Sequence, residues 1–382
     1  MKILHVFTLD CTPKAFFDGQ FRYLADNGGH QLHLVTSSPK DSDFCNKNGL
    51  DYTQIELARR IDIKTDLKSI RKLYKLIRKE KFDVVFGHTP KGAMVAMIAS
   101  KLAGVNNRVY YRHGLIYTTA SGIKRKILKA VETFTSSYAT KIINVSPSLG
   151  DLAVKDRLNS AKKQLVIGKG TCGGIDAQNL FNPELISASE VDNLREELGI
   201  GKMDFVVGFC GRICKEKGIR ELIDGFKLFQ KNNPDIKSKL LLVGGYDERD
   251  ILPEEYKEVI ANDPDILSTG NIDKRILPKY YSLMDIFVFP SYREGFGMCV
   301  IEAGAMEVPA LVSRSHGCVD SIVENETGEY IEISPEGIAE GLSKMTNSEL
   351  RVKLGKYSRE HVLANYDCSV LWPKILKVYK SL

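Results

Sequence analysis

The sequence predicts an α/β protein built from two successive Rossmann-like domains, and three observations predict it. Short β-branched or aromatic runs alternate with helical patterns in the first half. The rhythm breaks in a glycine-rich polar stretch near 168–200, and the same alternation then restarts. Strands alternating with helices of about 10–15 residues argue for βαβ units and parallel sheets. The length of 382 residues agrees, since domains commonly run about 100–200 residues.

In the first half, Lys2–Leu9 and Gln31–Ser37 read as strands, with a helix-like Phe17–Asn27 between them. Asp83–Thr89, Arg108–Gly114 and Thr140–Ser146 continue the strands, with Ala93–Leu102 and Ile123–Tyr138 as intervening helices. Ser146-Pro147 reads as an N-cap followed by proline at the first helical position. Gly168, Gly170, Gly173, Gly174, Pro183 and Gly199 then mark a linker and the approach to a second sheet. That sheet is predicted from Phe205–Gly211, Lys239–Gly245, Ile266–Asn271, Asp285–Ser291 and Ala310–Ser313, with helices near 219–231, 249–261, 275–283 and 297–306. Beyond Pro335 the pattern is helical, and Ser369–Ser381 is placed to fold back across the domain junction. The expected division is 1–172, 173–365 and a returning helix at 366–382. Two such sheets facing each other leave a central crevice outside the carboxyl ends of their strands, where ligands bind.

Composition narrows the class. With 43% hydrophobic and 27% charged residues, the chain is globular rather than disordered. Its eight cysteines are scattered without a CxxC pair, which argues against a zinc site and for free thiols in a reducing cytoplasm. The apolar start Met1–Phe7 is interrupted by His5 and followed by Asp10, unlike a signal peptide. No apolar run reaches the roughly 18 residues that a spanning helix needs. Between Arg59 and Lys81, ten Lys/Arg face three acids, a net +7 against +6 for the whole chain.

Two motifs carry chemistry. Gly211-Arg212-Ile213-Cys214-Lys215-Glu216-Lys217-Gly218 follows the strand ending at Cys210 directly. It puts two cations on a strand-to-helix loop beside a helix N-terminus, a setting suited to a pyrophosphate. Taken alone it could equally be a solvated basic loop. Glu294-Gly295-Phe296-Gly297 follows the strand ending at Ser291, with Glu302 inside the next helix. The glycines let backbone N–H groups approach a ligand. Glu302 is placed to accept both hydroxyls of a ribose and Glu294 to meet a donor sugar, although an ordinary helix start competes with that reading. Both motifs in one chain, each at a strand's carboxyl end in the second sheet, make coincidence a poor explanation.

Gly-Arg-x4-Lys-Gly followed by Glu-x7-Glu resembles the retaining glycosyltransferases of family 4, which have the GT-B fold. The resemblance covers essentially the whole chain. Gly174-Ile175-Asp176 with Phe181-Asn182-Pro183 is similar to the family's linker, and Pro290-Ser291 with Glu294–Gly297 to its donor loop. His88-Thr89-Pro90-Lys91 and Arg112-His113-Gly114-Leu115 are most similar to bacterial members acting on polysaccharide precursors. The resemblance implies a nucleotide-diphosphate sugar donor, a UDP-sugar first among them, and a glycan or lipid-linked pyrophosphate acceptor. It implies that Arg212 and Lys217 bind the diphosphate, Glu302 the ribose, Glu294 with Gly295, Phe296 and Gly297 the sugar side of the donor, and His113 the sugar near the reaction centre. The family often carries a Gly-Gly loop after its first strand. Here Asp18-Gly19-Gln20 stands in its place, with Gly19 the candidate donor contact.

The implied catalytic set is His113, Glu294, Arg212 and Lys217, with no metal and no cofactor. Protein cations and N–H dipoles would stabilise the diphosphate leaving group, and nearby oxygens an oxocarbenium-like sugar. Asp41-Ser42-Asp43 and Asp263-Pro264-Asp265 read as turns rather than metal-binding Asp-x-Asp. A nicotinamide dehydrogenase is disfavoured because Leu9–Pro13, after the first strand, holds no glycine. A nucleotide-sugar epimerase or hydrolase and a non-catalytic binding subunit remain the rivals. No nucleic-acid partner is expected. Leu67, Ile70, Leu73/Tyr74 and Ile77 form one helical stripe flanked by cations, and Lys124, Arg125, Lys126 and Lys129 form a second basic cluster. The stripe itself reads best as packing on the sheet. The cations point to peripheral attachment at the cytoplasmic membrane face.

Overall fold

The computed structural model describes residues 1–58 and 62–382, so Arg59 and Arg60 of the basic segment lie outside the described residues. The chain divides into two compact units. The first comprises Met1–Gly174 and Cys368–Leu382, the second Ile175–Asp367.

The first unit holds strands β1 (Lys2–Val6), β2 (Gln31–Thr36), β3 (Leu50–Gln54), β4 (Val84–His88), β5 (Asn107–Arg112), β6 (Lys141–Asn144) and β7 (Gln164–Val166). They pair in parallel in the order β3-β2-β1-β4-β5-β6-β7. Every residue of β4 is buried, as a strand covered on both faces requires. The helix expected over Phe17–Asn27 runs Gln20–Gly28, and a further short helix, Cys11–Phe16, precedes it. Gly19 separates them at φ +77°, a conformation that breaks helical continuity. Asp41-Ser42-Asp43 is not a simple turn. Asp41 caps helix Ser42–Asn48 by accepting from the Phe44 N–H at 2.9 Å.

The second unit holds β8 (Phe205–Cys210), β9 (Ser238–Val243), β10 (Ile266–Ser268), β11 (Ile286–Phe289), β12 (Ala310–Ser313) and β13 (Gly328–Ile331). Their order is β10-β9-β8-β11-β12-β13, again all parallel. The helix expected near 249–261 is Glu254–Asn262, since Pro253 fixes its start. Residues 245–253 are thereby left as a loop at the carboxyl end of β9. The helix expected near 275–283 shrinks to Leu277–Tyr281.

The units change over at 174/175 and 367/368, two residues beyond the expected 172/173 and 365/366. The hydrogen bonding shows why. Cys172 O accepts from Tyr111 and Gly173 O from Trp372, which ties both to the first unit. Tyr366 O accepts from Ile175 N–H, and an Asp367 carboxylate oxygen from Ala177 N–H, which ties both to the second. The closing helix Cys368–Lys380 packs against Gln20–Gly28 in the first unit.

In each sheet the strand order reverses beside the first strand, between β1 and β4 and between β8 and β11. A doubly wound sheet opens its crevice at such points, outside the carboxyl ends. The two loops that the sequence motifs occupy follow β8 and β11.

Candidate active site

The loop after β8 is built by close backbone approach. An added Cβ on Gly218 would lie 2.2 Å from the Pro290 carbonyl oxygen, and Gly218 sits at φ +70°. Only glycine allows the turn Lys215–Lys217 to press against the end of β11 and then open helix Ile219–Asn232. That approach brings Lys217 to the Glu294 carboxylate, with which it is ion-paired, and over the Phe289 ring at 5.6 Å. Lys217 is buried, which works against its charge, but Glu294 outweighs the burial and holds its pKa above the ordinary lysine value.

Arg212 is held differently. Its guanidinium is ion-paired with the buried Asp247 carboxylate, and a second nitrogen lies 3.4 Å from Glu216. Asp247 also binds Arg249 at 3.0 Å, and Glu216 binds Arg293. Arg249, Asp247, Arg212, Glu216 and Arg293 therefore alternate in sign along one rim. Hydrogen bonds from Arg249, with help from Arg212, hold the Asp247 carboxyl well below the usual carboxylate range despite its burial. Glu302 lies in helix Met298–Ala305 and accepts from the Tyr281 hydroxyl at 3.0 Å. Burial pushes its carboxyl up.

Between the ends of β8 and β9 lies a cavity of about 250 Å³, lined by Gly211, Arg212, Gly244, Gly245, Asn271 and Leu277 among others. Gly244 has to be glycine: a Cβ there would meet the Gly211 carbonyl at 2.0 Å. A larger space of about 590 Å³ lies at the amino ends of β9 and β10, lined by Lys237, Lys239 and Asp265. We place the site at the smaller one, because parallel sheets take ligands at their carboxyl ends. Among the described residues, no group of three or more His, Cys, Asp or Glu is placed to hold a metal ion.

The structure thus brings Lys217 and Glu294 into contact and sets Arg212 on the loop that carries Lys217. Gly295 and Gly297 lie in the loop leading to Glu302. Phe296 is buried against Tyr366, ring centroids 5.3 Å apart, so its side chain serves the core. Asp247, Glu216 and Tyr281 were missed by the sequence reading. Asp247 sits in a polar loop without periodicity, and only its place after a strand could have marked it.

His113 and Gly19 belong to the first unit. Gly19 donates its N–H to Asn48 Oδ1 at 2.8 Å, and its missing side chain makes room for Trp372. His113 follows β5 and ends a row of imidazoles. His5 Nδ1 is 3.0 Å from His88 Nε2, His88 Nδ1 is 3.0 Å from His113 Nε2, and His113 Nδ1 is 3.3 Å from Cys172 Sγ. Burial lowers the His113 pKa to about 3, so the ring is neutral at ordinary pH. Lys91 lies 2.5 Å from Asp66 and holds helix Pro90–Leu102 to helix Ile63–Glu80.

The basic helix Ile63–Glu80 buries Leu73 and Ile77 and packs Ile70 on the same core. Leu67 departs from the expected stripe and is 62% exposed, as is Ile63 at 71%. Helix Gly122–Tyr138 exposes Ile123 and Ile127 beside Lys124, Arg125 and Lys126. Both helices flank Pro90–Leu102.

Two doubly wound sheets, with cations and glycines at the carboxyl end of the second, define an α/β architecture of the nucleotide-binding kind. Residues 190–361 match the family of glycosyl transferases group 1, and residues 6–146 match glycosyl transferase 4-like proteins. The chain is 30% identical over 385 residues to the capsular polysaccharide biosynthesis glycosyltransferase CapM of Staphylococcus aureus, covering 100% of this chain and 97% of that protein. It is 27% identical over 338 residues to the UDP-Gal:alpha-D-GlcNAc-diphosphoundecaprenol alpha-1,3-galactosyltransferase of Escherichia coli, covering 85% and 81%. Its fold is similar to that of Anabaena HepE in complex with UDP and glucose, with a TM-score of 0.82 at 18% identity and full coverage of both chains. The chain belongs to the family 4 glycosyltransferases, enzymes of the GT-B fold class.

Proposed function

We propose that this glycosyltransferase moves a sugar from a UDP-sugar to a glycan or lipid-linked pyrophosphate acceptor, with retention of configuration, during assembly of a surface polysaccharide. The observation that carries the reading is the buried Lys217, paired with Glu294 and on one loop with Arg212, at the reversal point of the second sheet. UDP in HepE supports the donor base. The capsular role in the name of CapM and the diphosphoundecaprenol-linked sugar in that of the E. coli relative support the acceptor class. Relatives named for transfer leave the epimerase, hydrolase and binding-subunit readings unfavoured.

In this reading Arg212 and Lys217 meet the diphosphate, Glu302 the ribose hydroxyls, and Glu294, the Gly295–Gly297 backbone and His113 the sugar. Gly19 is left out of the donor's contacts, because its N–H is spent on Asn48 Oδ1 and its carbonyl on the Tyr23 N–H. As the anomeric bond breaks, negative charge grows on the leaving diphosphate. Fixed cations stabilise that charge without reorganising, which is why no metal is required. Arriving phosphate oxygens replace carboxylate partners that the cations already hold, so the cations are positioned before the donor arrives. A thermal-shift screen in EDTA tests the reading. At about 100 times its Kd, a donor stabilises the protein by about 2.7 kcal/mol, roughly 5–10 °C for a unit of this size. A UDP-sugar should give that shift and be turned over with EDTA present. Turnover lost in EDTA and restored by manganese would overturn the metal-free assignment.

The first unit is proposed to attach to the cytoplasmic membrane face. No helix among the described residues is long and apolar enough to cross a membrane. The support is exposed Ile63, Leu67, Ile123 and Ile127 lying among cations on the two helices that flank Pro90–Leu102. Anionic lipid attracts each nearby cation by about 1 kcal/mol. In liposome flotation, binding should require anionic lipid, weaken with salt, and fall when Arg71, Lys72, Lys75 and Arg78 are neutralised. Protein left in the soluble fraction at low salt would refute it.

A further inference from the structure

Three strands distant in sequence place three imidazoles in one hydrogen-bonded row. His5 lies in β1, His88 ends β4 and His113 follows β5, and β4 is paired with both other strands. His5 and His88 are fully buried. His88 is clamped by aromatic rings, stacked on Phe7 at 3.9 Å and on Tyr111 at 5.2 Å between centroids. Such a row is not required for packing, since apolar side chains fill the same layer on either side. It sets a hydrogen-bond direction.

Each neutral imidazole carries one N–H and one lone pair, so the row can run only two ways. If hydrogens point from His113 toward His5, the row ends on an N–H at His5 Nε2. That atom is buried and has no hydrogen-bond partner. If they point the other way, the same atom is a lone pair. An unpaired buried N–H is the rarer and costlier defect. The favoured direction is His5 Nδ1–H to His88 Nε2, His88 Nδ1–H to His113 Nε2, and His113 Nδ1–H to Cys172 Sγ.

We propose that His88, with His5 behind it, is a positioning residue that locks His113 as an Nδ1–H donor, and that the Cys172 sulfur is its placeholder acceptor until a sugar hydroxyl oxygen takes the sulfur's place. Sulfur accepts hydrogen bonds weakly, and the contact here is 3.3 Å. A hydroxyl oxygen is a better acceptor, so the exchange costs little and rewards a substrate that offers an oxygen at this point. Of the three rings only His113 is partly exposed, whereas His5 and His88 are fully buried, so a ligand can approach the row only at the His113 end. This inference rests on the reading of His113 as a sugar contact.

Histidine-selective 15N NMR on the full-length protein decides it, with His88→Leu, His88→Gln, His113→Ala and Cys172→Ala made to assign the signals. The wild type should show His5, His88 and His113 neutral, each with its hydrogen on Nδ1, the tautomer that a free imidazole in water disfavours. His88→Leu should release His113 from that tautomer and raise the donor KM about tenfold, the worth of one aligned hydrogen bond. His88→Gln, which keeps an N–H donor, should restore much of the loss, and Cys172→Ala should leave KM within about twofold. Hydrogen on Nε2 of His113 in the wild type overturns the proposal without any variant having to fold. So does a His88→Leu protein in which tautomer and KM are both unchanged. If the tautomers are as stated but His113→Ala leaves donor KM and kcat untouched, the sugar-contact reading fails instead.

Discussion

Replacing Lys217 with Ala should lower the transfer rate by about 30- to 1000-fold while the protein stays folded, because a charge-assisted contact that strengthens in the transition state contributes about 2–4 kcal/mol. Arg212→Ala should act in the same direction with a smaller effect. Lys217 is buried on its Glu294 partner, whereas the Arg212 side chain is 46% exposed and shares the rim with Arg249 and Arg293. The form of the loss matters as much as its size. A contact made mainly to the departing diphosphate lowers kcat and kcat/KM together, while one made equally to bound donor raises KM alone. Lys217→Ala also leaves the half-buried Glu294 carboxylate without its cation. The single variant Glu294→Gln, which reports the loss of the sugar-side carboxylate by itself, and the double variant Lys217→Ala/Glu294→Gln, which removes the stranded charge, together separate the two effects. If activity returns in the double variant, the damage came from Glu294 and not from the missing cation. Steady-state kinetics with a donor found by thermal shift measure this, and near-normal turnover in both single cation variants would sink the diphosphate assignment.

The parts of the molecule legible in the sequence are those written in local periodicity. The central strands of both sheets were, because they are covered on both faces and read as apolar runs. The edge strands β3, β7 and β13 were not. They hold five, three and four residues and are partly exposed, so their composition resembles that of loops. The places of Lys217, Glu294 and Glu302 beyond the carboxyl ends of β8 and β11 were legible, because loop and helix put them at fixed offsets from a glycine or a strand end. Asp247 was not, although it orients Arg212, because its role depends on β9 lying beside β8. The row His5, His88 and His113 lies further still from sequence pattern. It exists only because β4 pairs with β1 on one side and β5 on the other. The motif Arg112-His113 shows the same limit at the scale of one peptide bond. The two residues are adjacent in sequence, yet Arg112 is fully buried whereas His113 is partly exposed.

That burial gives Arg112 a role in stability, and removing its partner should unfold the first unit more readily than any change at the candidate site. The Arg112 side chain is fully buried, with Nε 2.8 Å from Glu132, one terminal nitrogen 3.0 Å from Asn144, and the other 2.8 Å from Ser136 and 3.0 Å from Asn159. Four of its five N–H groups are thus spent inside the protein, which leaves little for a ligand. Glu132 also accepts from the Tyr110 hydroxyl at 3.1 Å, so one carboxylate ties helix Gly122–Tyr138 to β5 twice. Glu132→Leu strands the guanidinium in the core. Breaking one side of such a pair costs about 3–5 kcal/mol, whereas exchanging both partners for apolar residues of similar volume is often close to neutral. Urea unfolding should therefore show a loss of that size for Glu132→Leu and a partial recovery for Arg112→Met/Glu132→Leu. Both variants, assayed well below their unfolding midpoints, should keep the donor KM within about fivefold, since a change under 1 kcal/mol in binding lies within that factor. Unchanged stability with transfer abolished would mean instead that Arg112 reaches the substrate, and the division of labour between Arg112 and His113 would be reversed.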